Sequence, residues 1–142
     1  MMKKITYLLL LVTFLSACKT DKQKNGCGLQ TCTANYAYLG IRFIDKESKP
    51  VSFSNFTAVN LRTNKSLTPL QYPPNINIDF VAGFVLLASD ANIKDFSTDG
   101  DDVKISATNT ATSQTKTATL KIAGGCGCHV TKVSGPDKVV FD

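Results

Sequence analysis

The sequence predicts an all-β chain, an antiparallel β-sandwich of about seven strands, on three observations. Short segments alternate apolar and polar residues with a period of two, and turn residues recur roughly every 8–12 positions. No window keeps an apolar 3.6-residue period for three turns. The composition agrees, because threonine and valine are frequent, tryptophan is absent, and such side chains suit pleated, half-buried surfaces.

Taken in order, "YLGIRFID" sets Leu39, Ile41 and Phe43 against Tyr38, Gly40 and Arg42, as a half-buried strand does. "KESKP" is a turn ended by Pro50, a residue suited to strand starts and edges. "VSFSNFTAVNLRT" is a second strand, with Thr57, Val59 and Leu61 alternating against Ala58, Asn60 and Arg62. "NKSLTPLQYPPN" contains Pro69, Pro73 and Pro74 and can hold only a short edge strand and a loop. "INIDF" alternates, and "GFVLLAS" is an apolar run suited to a central strand. "VKISATN" places Val103, Ile105 and Ala107 on one side. After the polar turn "TATSQ", the next strand alternates through Ala118, Leu120 and Ile122. "HVTKV" and "KVVF" are joined by Ser134-Gly135-Pro136-Asp137, a strong turn signal.

The N-terminus has a different character. Lys3 and Lys4 precede an apolar run from Ile5 to Leu15. That run is too short for a bilayer core of about 30 Å, which needs about 20 residues. Small residues Ser16 and Ala17 then lead into Cys18, the layout of a secretory signal peptide. The quartet Leu15-Ser16-Ala17-Cys18 resembles the bacterial lipobox, which implies that Cys18 is lipid-modified and becomes the first mature residue. Residues 1–17 are therefore expected to be signal peptide, 18–35 a lipidated cysteine and polar tether, and 36–142 the sandwich domain. Loss of Lys3 and Lys4 takes the formal charge from +5 to +3, with no arginine-rich or aromatic-basic run. Nucleic acid is thus not an expected partner. The expected location is the cell envelope, anchored in the outer membrane and facing the periplasm. The stretch "CKTDKQKNG" has Asp21 as its only acid, whereas the surface-export tag of some Bacteroidetes lipoproteins is acid-rich.

"FIDKESKPVSFSNFTAVNL" resembles the opening of a carboxypeptidase-regulatory-like, or transthyretin-like, domain. Asp45, Pro50 and Val51 match that pattern, and Ser48 stands where the family usually has glycine. "DFVAGFVLLAS" is similar to the family's later strand through Asp79, Gly83 and Phe84. The likeness spans roughly residues 36–122. It implies a prealbumin-like sandwich that serves as a structural or binding module without chemistry of its own.

Four cysteines remain after Cys18: Cys27, Cys32, Cys126 and Cys128. An even count in an exported chain points to disulfides, since the periplasm is oxidising. Cys126 and Cys128 would share one face of an extended strand and could not easily close on each other. Each is therefore expected to pair with Cys27 or Cys32, in either of the two end-to-end connectivities. A zinc site of these thiols with His129 departs from the usual ligand spacing and needs four reduced sulfurs outside the cytoplasm. A Cys128–His129 dyad fails because strand neighbours point to opposite faces. His129 is expected to be a bystander at a strand start.

In "DFSTDGDD", Asp95, Ser97, Asp99 and Asp101 follow the alternate-oxygen spacing of calcium loops. The closing glutamate is absent, Ser106 standing at that position, so a solvated turn is the favoured reading and calcium the alternative. No nucleophile elbow, phosphate-cradling loop or histidine cluster occurs. The function expected is non-catalytic: an envelope module that binds or associates with an envelope protein or glycan and requires no cofactor. The alternative is calcium-dependent or carbohydrate recognition by the 95–102 loop with Tyr36, Tyr38 and Tyr72.

Overall fold

Two sheets face each other across one apolar layer in the computed structural model, which describes residues 27–67 and 82–142. The signal segment, Cys18, Tyr72, Asp79 and the strand expected over "INIDF" lie outside the described residues. In chain order the strands are β1 (Tyr38–Ile44), β2 (Phe53–Asn60), β3 (Lys65–Ser66) and β4 (Phe84–Ser89), then β5 (Asp101–Asn109), β6 (Thr115–Ala123), β7 (Thr131–Ser134) and β8 (Lys138–Val140). One sheet runs β4-β1-β8 and the other β3-β2-β5-β6-β7. The fold is a disulfide-stapled β-sandwich.

The period-two pattern decides which side chains meet between the sheets. On β5 Val103, Ile105 and Ala107 are fully buried, and on β6 Leu120 and Ile122 join them. Across the layer β1 contributes Ile41 and Phe43. The Phe43 ring packs against Phe53, Phe56 and Phe141, with centroids 4.6, 6.1 and 6.2 Å away. Each large apolar side chain so buried contributes about 1.5–3 kcal/mol.

Four details depart from the pattern in the sequence. β2 turns Ala58 and Asn60 inward and leaves Leu61 half exposed, because Asn60 finds a buried partner that its own strand does not reveal. A register shift at Asn55, whose φ is +50°, separates the two halves of that strand. β4 is an edge strand among the described residues rather than a central one, although Val85 to Ser89 are all buried. The sheet is also not wholly antiparallel. Ser134–Asp137 carries the chain from one sheet to the other, so β8 runs parallel to β1, Phe43 opposite Val139.

The turn between β1 and β2 shows how side chains set local structure. The Lys49 N–H donates to the Asp45 carboxylate at 2.8 Å, and the Ser48 N–H donates to the Asp45 carbonyl at 3.0 Å. Closing this turn puts Ser48 in the left-handed region, at φ +62°. An L-residue is held there at a cost of about 1–2 kcal/mol, which glycine escapes. Ser48→Gly is therefore expected to stabilise the fold by about 1 kcal/mol, net of the entropy glycine adds to the unfolded chain. Urea unfolding of the two proteins checks this, and an unchanged or lowered midpoint contradicts it.

Candidate functional site

The chemistry-bearing residues gather at one end of the sandwich. β1 and β5 begin there and β2, β4 and β6 end there, so residues 27–37, 60–62, 89–101 and 123–130 converge. The opposite end carries the 45–50 and 110–114 turns and the chain end at Asp142. An open groove of about 470 Å³ lies there between Asp45–Ser52 and Asn109–Thr112.

"GGCGCHV" is not a strand but a tight turn seated on the 93–98 segment. Gly124 N–H donates to the Ser97 carbonyl and Gly125 N–H to the Ile93 carbonyl, at 2.9 and 2.8 Å. Gly127 N–H closes the turn on the Gly124 carbonyl at 2.8 Å. Gly125 has φ +59°, and a Cβ there would come within 2.7 Å of Thr98 Oγ1. Only glycine fits, which accounts for the run of glycines around these cysteines.

The turn presents Cys126 and Cys128 to the N-terminal segment in parallel order. Cys27 bonds to Cys126 and Cys32 to Cys128, each with Cα atoms 5.3 Å apart. Of the two end-to-end connectivities this is the one realised. The four sulfurs are joined in pairs and do not form a tetrahedral set. Because the pair sits in a turn, the expectation that Cys126 and Cys128 share a strand face is corrected. The conclusion it served, that neither closes on the other, holds for a different reason: the turn aims both outward along the incoming segment.

His129 is not a bystander. Its Nδ1 lies 2.7 Å from Asp90 Oδ2 and its Nε2 2.9 Å from Thr33 Oγ1. Asp90 also accepts the Ala37 N–H and the Val130 N–H, both at 2.9 Å. Burial pushes the Asp90 carboxyl up, but these N–H groups and His129 together hold it below its ordinary value. Asp90 thus joins the segment before β1 to the segment before β7, and Thr33 and His129 each directly follow a stapled cysteine. Ser89 and Asn92 cap the 3₁₀ turn Asp90–Asp95 that holds the carboxylate in place. "SDAN" was a readable signal for this turn, since a serine followed three residues later by a side-chain acceptor marks a capping box. Beside it Tyr36 and Tyr38 sit with ring centroids 4.8 Å apart, and the Tyr36 hydroxyl meets Ser89 Oγ at 3.2 Å.

The acidic loop is organised around a guanidinium. Asp101 continues the inward face of β5, two residues before Val103, and its side chain is 1% exposed. Arg62 grips it through Nε at 2.6 Å and Nη2 at 2.9 Å. Ser97 Oγ donates at 2.6 Å, Ser97 N–H at 3.2 Å and Asn60 Nδ2 at 2.7 Å. The Arg62 contact, foremost, holds this carboxyl far below the usual range. Asp95 and Asp99 are exposed, so the four oxygen-bearing residues of the spacing do not converge on one point. Among the described residues no three His, Cys, Asp or Glu side chains cluster as a metal-binding group.

Asp101 titrates lower in the folded chain than the ~3.9 of a free aspartate, so its contribution is complete above about pH 4 and is lost as pH falls further. Asp101→Ala is expected to cost about 2–3 kcal/mol at neutral pH, since Asn60 and Ser97 lose a buried acceptor. The variant should also show a shallower loss of stability below pH 4, as urea titrations at pH 7 and pH 3 would reveal.

The staples should be strongly non-additive. With Cys27–Cys126 in place, the second bond closes only the small ring of residues 27–32 and 126–128. Replacing Cys32 and Cys128 by serine should then cost on the order of 2.5 kcal/mol, and removing both bonds on the order of 7. Single and double losses that simply add would contradict this. Compared with known proteins, the chain matches no family model, no curated protein and no solved structure.

Proposed function

We propose that the mature protein is a lipid-anchored cell-envelope module, held in the outer membrane facing the periplasm through Cys18. Its single sandwich acts by binding or structural association rather than by catalysis. The observation that carries this reading is the double staple. Two disulfides joining residues 96 and 99 positions apart support it, because such bonds form and persist mostly in oxidising, extracytoplasmic compartments. They also fasten the domain a few residues after the lipobox-like "LSAC", as expected of a chain that begins at an anchored cysteine.

Two carboxylates at the stapled end are each engaged by several donors. Asp90 carries three donors, and Asp101 carries five contacts from Arg62, Asn60 and Ser97. The carboxylate–imidazole–hydroxyl order of Asp90, His129 and Thr33 is also that of an activated alcohol. Here Asp90 also accepts the Ala37 and Val130 N–H groups and so fastens the stapled segment to the stretch before β7, which supports a clasp.

Mass spectrometry of the protein purified from its native membrane tests the reading. The expected chain begins at residue 18, carries acyl chains there, and gains four hydrogens on reduction as Cys27, Cys32, Cys126 and Cys128 are released. A soluble, unacylated chain with free thiols would be fatal to it.

A further inference from the structure

We propose that the stapled end of the sandwich rests on the phospholipid surface, with Leu29 inserted at the boundary between headgroups and acyl chains. The inference builds on the anchoring of Cys18 argued above.

Chain length supplies the first argument. Cys27 follows Cys18 by nine positions, a span of at most about 30 Å when fully extended. The disulfide at Cys27 stops the segment from peeling away to lengthen that reach. The end of the sandwich bearing residues 27–37 and 123–130 is therefore kept next to the bilayer. The 45–50 and 110–114 turns, with their groove, face away from it.

The surface offered there is the second argument. Leu29 lies between two covalently fixed cysteines and is 95% exposed, the most exposed of the large apolar residues among those described. A Cβ at neighbouring Gly28 would meet no atom of the described residues within 4 Å, chain neighbours aside, and residues 28–36 are all exposed among them. Two cross-links five residues apart hold the leucine outward without further loss of chain freedom on docking. Lys94 is exposed and lines the open cleft of about 300 Å³ beside Cys27, Gly28 and Gln30, where its ammonium can meet lipid phosphates. Half-exposed Tyr36 belongs to the same end, and tyrosine favours the membrane–water boundary. Asp95 and Asp99 are also exposed at this end. The inserted leucine and Lys94 therefore set the contact, rather than a broad cationic face.

The protein has no tryptophan, so one indole can report on one position. Full-length acylated Leu29→Trp and Ala111→Trp would be reconstituted in vesicles of phosphatidylethanolamine and phosphatidylglycerol with brominated acyl chains. Both positions are exposed, so neither substitution disturbs the core. The expected result is that both proteins float with the vesicles. Emission from position 29 should be blue-shifted and quenched several-fold more strongly than emission from position 111. Flotation with equal quenching at the two positions overturns the docking and leaves the anchor standing. Failure to float overturns the anchor and the docking together.

Discussion

An ionised carboxylate enters the interior of a β-sandwich only if its lost hydration is replaced, and Asp101 meets that condition at the start of β5. The alternation that buries Val103, Ile105 and Ala107 also points Asp101 inward, so the sheet itself imposes the problem. Arg62 answers it from just beyond β2, Asn60 from the inward face of β2, and Ser97 from the loop before β5. One buried charge thereby ties the end of β2 to the 90–100 segment, and that segment is the seat for the glycine turn. Phe96, 2% exposed, anchors the same loop into the apolar layer. The placing of Cys126 and Cys128 opposite Cys27 and Cys32 follows from this chain of contacts.

Where a single strand's own pattern decides its burial, the sequence was a sufficient guide. β1, β5 and β6 each declare their inner face through Ile41 and Phe43, through Val103 and Ile105, and through Leu120 and Ile122. The β1–β2 turn is equally plain, and its one irregular position, Ser48, is the one at which glycine would be at ease. The features that stayed hidden depend on partners remote in the chain. The inward turn of Asn60 makes sense only with Asp101 beside it, 41 positions away. The parallel pairing of β8 with β1 joins the two ends of the domain, and no local period encodes it.

The candidate site divides in the same way. That the cysteines should link the two ends was readable from their number and spacing, but choosing between two connectivities needed the geometry of residues 124–127. Asp101 looked like part of a solvated turn because Asp99-Gly100-Asp101 supplies turn geometry and the loop lacks the closing glutamate of a cation site. Counting back two from Val103 would have put it inside. His129 stands alone in the sequence, and its partners, Asp90 and Thr33, lie 39 and 96 positions away. A lone histidine gives no hint of such a pair.

The staples also determine how the protein bears load. A pull on the chain upstream of Cys27 passes through sulfur into Cys126, a turn already bonded to Ile93, Ser97 and Thr98. Tension is thus shunted past the Tyr38 end of β1, whose ladder with β4 would otherwise be unzipped one hydrogen bond at a time. While the Cys27–Cys126 bond is intact, a pull from that side reaches this turn before it reaches the β1–β4 ladder.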